Sequence, residues 1–272
     1  MTQNEKGTKF RTLHKSAGAF VIPNPWDIGT ARLLERIGFQ AIATTSAGCA
    51  FALGLRDNEV GRERAIRHVA ELAAATHVPL SADLENGFGP RPEDAAETIR
   101  LAAQAGAVGG SIEDATGDAA RPLFEIRAAA DRVRAAAEAA RALPVPFLLT
   151  ARAENFLVGR PDLRDTIARL QAYQQAGADV LYAPGLKTVE EIASVVKAVD
   201  RPVNVLLALR GVGLTVAAVE AAGAKRISIG SALARTAIGT VLRAAKEMLE
   251  RGTFEFGEDA PSYAEVNAAF AP

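Results

Sequence analysis

Eight short apolar runs, rich in β-branched residues, recur along the chain at 19–23, 41–45, 78–83, 107–113, 146–152, 179–184, 202–207 and 226–230. Each is cut off by Gly, Pro or a polar residue. Runs this short and apolar throughout predict strands buried on both faces of a parallel sheet. The segments between them, as at 122–142 and 162–176, carry apolar side chains at three- and four-residue spacing with Arg and Glu between. They predict amphipathic helices that cover the sheet. Gln104-Ala105-Gly106-Ala107, Gln175-Ala176-Gly177-Ala178 and Ala221-Ala222-Gly223-Ala224 each place a glycine where a helix must end in a left-handed residue. Eight strand candidates in so regular a βα repeat favour a closed (β/α)8 TIM-type barrel over an open doubly wound sheet.

No linker or low-complexity segment divides the chain, so residues 1–272 read as one barrel domain with a core of about 18–250 and a C-terminal helical arm at 251–272. The arm carries Phe254, Phe256, Tyr263 and Phe270, too apolar for a free tail, and is expected to dock on the barrel or on a neighbouring subunit. Composition narrows the partners. With 31 basic and 32 acidic residues the net charge is -1, which argues against a nucleic-acid or anionic membrane surface. The polar start is not a signal peptide, and no run of about 18 apolar residues is present to span a bilayer. The single cysteine, Cys49, has no internal disulfide partner and no zinc-ligand spacing around it, which fits a reducing, cytoplasmic setting.

In a barrel of this kind the working side chains gather where strands end. Polar residues at those ends include Asn24 and Trp26, Thr45 and Ser46, Asp83 and Glu85, Glu113 and Asp114, Arg152 and Glu154, with Asn204 inside the seventh run; the opposite joints are mostly Ala, Gly and Pro. Asp83 and Glu85 are two apart, so an extended backbone would point both to one side. Glu113 should leave the adjacent strand at the same level. Three carboxylates so close repel unless a cation sits among them. An all-oxygen set without His or Cys favours Mg²⁺, with Mn²⁺ the alternative, one acid binding directly and the others through water. The competing reading is ordinary loop acids paired with arginines. Arg152, closing an apolar run, is either a bidentate clamp for a substrate carboxylate or a structural ion pair with Glu154 or Glu113. The small residues of 44–48 would let free N–H groups cradle an oxyanion. His14, His68 and His77 fall away from the strand ends and are read as structural or exposed; Cys49 is read as a packed thiol.

These rim motifs together resemble the isocitrate lyase/phosphoenolpyruvate mutase family, and within it the phosphonomutase-like and carboxyvinyl-carboxyphosphonate phosphorylmutase-like group. The match runs from about Phe20 to Arg235, through PNPWDIGTARLLERIGF, TTSAG, LGLRD, SADLENGFG, SIEDA, TAR, AGADVLYAPG, PVNVLL and RISIGS. The resemblance implies Asp83 as the direct Mg²⁺ ligand, with Glu85 and Glu113 holding the ion through its waters. It implies that Ser46 and the backbone of Ala47 and Gly48 hold a carboxylate and oxyanion, that Asp57 stands near substrate and metal, and that Arg152 and Asn204 contact the substrate beside an apolar wall at Trp26. It further implies an enolate of pyruvate or a related acid as the shared intermediate, and a homo-oligomer, tetramer or dimer, with the C-terminal helix exchanged between subunits.

Departures from the family pattern bear on the reaction. Family lyases carry a Lys-Lys-Cys-Gly-His type segment after the fourth strand; residues 113–129 here read EDATGDAARPLFEIRAA, with no Cys, His or Lys. The Lys- and Asn- or Thr-bearing loop of the mutase and the phosphonopyruvate hydrolase is absent too. Glu85 stands where many members have Asp, and Ala47 replaces a common Gly. The resulting expectation is a Mg²⁺-dependent carbon–carbon lyase or decarboxylase of a small 2-oxo or 2-hydroxy carboxylate. The alternatives are P–C chemistry, as a phosphonomutase or phosphonopyruvate hydrolase, and a catalytically silent oxo-acid-binding protein.

Overall fold

The computed structural model describes residues 1–271. Helix α1 (Gln3–Lys15) leads into β1 (Phe20–Ile22), α2 (Ile28–Ile37), β2 (Ile42–Ala43), α3 (Ser46–Ala52), α4 (Arg62–Ala75), β3 (Leu80–Asp83), α5 (Pro92–Gln104) and β4 (Gly109–Glu113). Then follow α6 (Ile126–Arg141), β5 (Leu148–Arg152), α7 (Leu163–Ala176), β6 (Val180–Tyr182), α8 (Val189–Ala198), β7 (Val203–Leu206), α9 (Val216–Ala221) and β8 (Arg226–Ser228). The eight strands run in the order β1-β8-β7-β6-β5-β4-β3-β2, and every pair is parallel. Across the remaining gap the Ala43 N–H donates to the Pro23 carbonyl at 3.0 Å, so the sheet closes nearly completely into the expected (β/α)8 barrel. Each of the eight apolar runs contains its strand. Gly106, Gly177 and Gly223 end their helices at φ of 101°, 107° and 91°, a conformation that a side chain would strain.

The strands are not apolar on both faces. Ala82, Ile112, Leu149, Val203, Val205 and Ile227 face the helices and form the main core. Their alternates, Ser81, Ser111, Thr150, Asn204, Arg226 and Ser228, point inward and are buried but polar. The barrel interior is therefore a hydrogen-bonding lumen and not an oily plug. A separate cluster of Phe10, Ile22, Ala41, Val108 and Leu148 closes its floor.

Phe10 belongs to α1, which lies before the core expected from residue 18 onward. This polar helix docks because its side chains satisfy carbonyls orphaned at other helix ends. Lys6 Nζ donates to Thr76 O at 2.6 Å and Ala73 O at 3.2 Å, at the end of α4. Gln3 Nε2 donates to Ala103 O at 2.7 Å, at the end of α5. At the other terminus come α10 (Ala232–Arg251), a short 3₁₀ turn and α11 (Tyr263–Phe270). The arm docks on its own barrel: α11 packs on α2, and Arg36 donates to the Ala271 carbonyl. Val241, Leu242, Leu249, Phe254 and Tyr263 stay exposed. Among the described residues no helix is long and apolar enough to cross a membrane.

His14 sits at the floor between Phe10 and Phe20, with ring centroids 4.7 and 5.0 Å away. Burial first, then the charges of Arg226 and Lys225, push its pKa down to about 3. Between pH 6.5 and 3 the unfolded chain therefore binds a proton that the folded one refuses. This contribution to stability is intact above about pH 6.5 and is lost as pH falls toward 3. At pH 5 it should cost about 2 kcal/mol. Urea unfolding of the wild type and His14→Phe at pH 7 and 5 checks it; equal losses in the two proteins would refute it.

Candidate active site

The strand ends surround a cavity of about 170 Å³ lined by Asn24, Ser46, Ala47, Asp57, Asp83, Ser111, Arg152, Tyr182, Asn204 and Arg226 among others. β3, β4 and β5 are in register, pairing Asp83 with Ser111 and Glu113 with Arg152. That register sets the site's main cluster. Arg152 Nη1 lies 2.9 Å from Asp83 Oδ1, Nη2 3.1 Å from Glu113 Oε2, and Nε 2.9 Å from Glu154 Oε1, while Tyr182 stacks beneath it at 5.3 Å. Asp83 also accepts from the Ser46 N–H at 3.0 Å. Both ion pairs foreseen for Arg152 are thus formed, together with a third to Asp83. Burial opposes its charge, but Glu113, Glu154 and Asp83 together outweigh that and hold the guanidinium ionised.

One arginine does not balance this many acids. Asp57, Asp83, Glu85, Glu113 and Glu154 ring a single guanidinium. Glu85 is raised to about 7 by burial and then by Asp83 and Asp57. Burial, against the pull of Arg152, raises Glu113 well above its ordinary value, with Glu154, Asp83 and Glu85 adding to it. An all-oxygen, over-acidic cluster of this kind fits a hard divalent cation. Among the described residues no three acidic, His or Cys side chains converge to hold a bare ion directly.

Asp83 and Glu85 share a small void, but not by strand alternation as expected. β3 ends at Asp83, and Glu85 sits at φ 49° in a tight turn that continues through Gly87 and Phe88 at φ 81° and 57°. A non-glycine there is strained by about 1–3 kcal/mol, so something must hold the turn. Arg132 of α6 does so: it is buried, donates to the Asn86 and Arg91 carbonyls and lies 4.5 Å over the Phe124 ring. Neither Arg132 nor this turn was legible in the sequence pattern.

The other expected residues divide. Ser46, Ala47, Asp57, Arg152 and Asn204 line the cavity. Asp57 stands at its lip, raised by desolvation and by Asp83. Gly48 does not serve as an oxyanion donor: its N–H caps α3 by donating to Thr45 Oγ1 at 3.2 Å. Because Ser46 N–H is taken by Asp83, Ala47, also in the first turn of α3, is the backbone donor left for a ligand. Trp26 does not wall the cavity; it lines an outer cleft with Ile28, Cys49, Leu53 and His68. His68 also borders the small void that Cys49 and Glu85 share, but burial raises the Cys49 thiol to about 11, which keeps it protonated and inert.

The segment after β4 closes on itself through an Ala115–Leu123 bridge and a Thr116 N–H bond to the Pro122 carbonyl at 3.0 Å. It borders a second, outer cavity of about 880 Å³ with Glu85, Glu113, Arg62 and Arg160. Beneath it Asp114, the residue after β4, is turned toward α7 and accepts from the Glu154 N–H at 2.8 Å, from Arg169 Nη1 at 3.0 Å and from the Tyr173 hydroxyl. This anchor positions Glu154 and, through it, Arg152.

Comparison with known proteins agrees with the barrel fold. Residues 10–249 match the family model for phosphoenolpyruvate phosphomutase. A crystal structure of a candidate lyase/mutase from Burkholderia cenocepacia J2315 is 57% identical, covers 99% of this chain and 97% of that one, and superposes with a TM-score of 0.96. The 2-methylisocitrate lyase of Escherichia coli K12 is 28% identical over 211 residues, 75% of this chain and 70% of the lyase. A phosphonopyruvate hydrolase in complex with oxalate and Mg²⁺ shares the fold at 24% identity, with a TM-score of 0.84 and coverage of 99% and 95% of the two chains.

Proposed function

The chain belongs to the phosphoenolpyruvate phosphomutase family, within the isocitrate lyase/phosphoenolpyruvate mutase superfamily, and from that membership and the cavity we propose a Mg²⁺-dependent lyase or decarboxylase of a small 2-oxo or 2-hydroxy acid. The observation that carries this reading is the crowd of carboxylates around Arg152 at the rim of a small, hydrogen-bonding cavity. A divalent cation, Mg²⁺ or alternatively Mn²⁺, would be held directly by Asp83 and through water by Glu85 and Glu113, and would supply positive charge opposite a developing oxyanion.

The chain's own groups do the rest. The Ala47 N–H and Ser46 hydroxyl face the acid's oxygens, and Arg152, fixed by its three carboxylates, orients the carboxylate end. In a 2-oxo diacid the bond from C3 to the departing carboxyl carbon breaks, carbon dioxide leaves, and the electron pair forms the C2–C3 double bond with its charge on the 2-oxo oxygen as an enolate. In a 2-hydroxy acid the hydroxyl gives its proton to water or to Asp57, the C2–C3 bond breaks so that C2 departs as a 2-oxo acid, and the electron pair passes onto C3 and the carboxylate it carries. A proton then returns to C3 from water or from Asp57 at the cavity lip. The segment 114–125 contributes no residue to this cavity and offers no Cys, His or Lys. That favours simple carbon–carbon cleavage, which needs an electron sink, over mechanisms that need an armed loop.

The test is incubation with Mg²⁺ and oxaloacetate, 2-methylisocitrate, dimethylmalate or phosphonopyruvate, following pyruvate and phosphate. Pyruvate from an acid without phosphorus is expected. Phosphate from phosphonopyruvate alone would transfer the assignment to P–C cleavage, and tight oxo-acid binding without turnover would make the protein a silent binder.

A further inference from the structure

Resting on the reading of the cavity as an oxo-acid site, we infer that Arg226, with Asn204 and Ser228, forms a second anion seat at the cavity floor that receives the distal carboxylate of a dicarboxylic substrate. Arg226 begins β8, points into the lumen with 5% of its surface exposed, and helps to line the cavity. Nε donates to Asn204 Oδ1 at 2.9 Å and Nη2 to Thr150 Oγ1 at 3.0 Å, while Nη1 is buried with no acceptor among the described residues.

The contrast with Arg152 is the reason for the assignment. Arg152 is surrounded by three acids. Arg226 forms no ion pair among the described residues, and burial, relieved only by the Tyr182 hydroxyl, lowers its pKa to about 10, so it stays charged at neutral pH. A desolvated guanidinium without a counter-charge is a costly arrangement, and a ligand anion would relieve it. Its neighbours are turned to the same end. With Oδ1 held by Arg226, Asn204 donates through Nδ2 to Ser228 Oγ at 2.9 Å. The Ser228 and Tyr182 hydroxyls, both on the cavity wall, bond to each other, which leaves one hydroxyl proton of the pair for an acceptor.

The lumen is thus acidic at its rim and basic at its floor. A diacid whose 2-oxo end meets a cation at the rim brings its second carboxylate to the unmatched charge below. The volume accommodates a short chain: a ~150 Å³ cavity takes up a benzene ring, so about 170 Å³ has room for a four-carbon diacid.

Matched hydroxy acids test this by calorimetric titration in the presence of Mg²⁺. Malate and 2-hydroxybutyrate share a skeleton and differ in having a carboxylate or a methyl group at the distal carbon. The wild type should bind malate about ten- to a hundredfold more tightly, the range of a hydrogen bond to a charged group. Arg226→Met should erase that preference and keep the affinity for 2-hydroxybutyrate, in protein that a thermal melt shows to be folded. If the methionine variant does not fold, Arg226→Lys, a shorter point charge, should cut the preference several-fold. An unchanged preference in the folded variant, or equal affinities in the wild type, overturns the second seat while leaving the oxo-acid site standing. Failure of the wild type to bind either acid overturns the site itself, and the seat with it.

Discussion

Replacing Asp83 with Ala is expected to lower metal-dependent turnover by about 10³-fold or more, because on the proposed reading it removes the direct cation ligand and, with the cation, the positive charge opposite the reacting oxygens. Glu85→Gln and Glu113→Gln should each cost less, about 10- to 100-fold, as groups that act through water. The fold should survive Asp83→Ala, since Arg152 keeps Glu113 and Glu154 as partners. Steady-state pyruvate release and a thermal melt for the three variants read out this gradient. If Asp83→Ala retains wild-type turnover, the metal assignment is wrong; if Glu85→Gln is as damaging, the division between direct and water-mediated ligands is wrong.

Asp114→Ala should produce the largest loss of stability, about 3–5 kcal/mol, as expected when one partner of a buried ion pair is removed. Asp114 is 2% exposed, and its loss strands the Tyr173 hydroxyl, one arm of Arg169 and the Glu154 N–H together. Arg169 retains Asp165 at 2.7 Å, which keeps the loss below that of a wholly unpaired charge. For a chain of this length the melting point should fall by roughly 10 °C. Activity should fall with it, because Glu154 fixes Arg152 Nε. A melting point within about a degree of wild type would show that Asp114 is not the anchor of this rim.

The fold was readable because a βα repeat writes its period into the apolar residues. All eight runs hold strands, and three glycines mark helix ends with the expected backbone. What stayed hidden depends on tertiary partners. The polar helix α1 folds onto the barrel because distant carbonyls need its Lys6 and Gln3, which no local pattern announces. Asp83, Glu113 and Arg152 were visible as polar residues at the ends of apolar runs. Glu85 was found for a reason that fails, since a left-handed turn and not an extended strand delivers it. Gly48 was misplaced because a helix cap consumes its N–H, and Trp26 because the chain after β1 turns it to the outer cleft. Arg226 could have been found by the argument that singled out Arg152, an arginine at one end of an otherwise apolar run. Its position at the beginning of a strand concealed it. The Asp114 network was also within reach: Asp114 directly follows β4, and Arg169 and Tyr173 share a face of α7 at i, i+4 spacing.

On the proposed function this cavity makes an enolate of a small oxo acid with a divalent cation at Asp83. Proton exchange at the methyl group of pyruvate in D₂O, followed by proton NMR, reports that step without regard to which bond the natural substrate breaks. The structure leads us to expect exchange that requires Mg²⁺, stops on adding EDTA and is absent in Asp83→Ala. Exchange that is unaffected by EDTA, or no exchange at any Mg²⁺ concentration in protein that binds pyruvate, would contradict it.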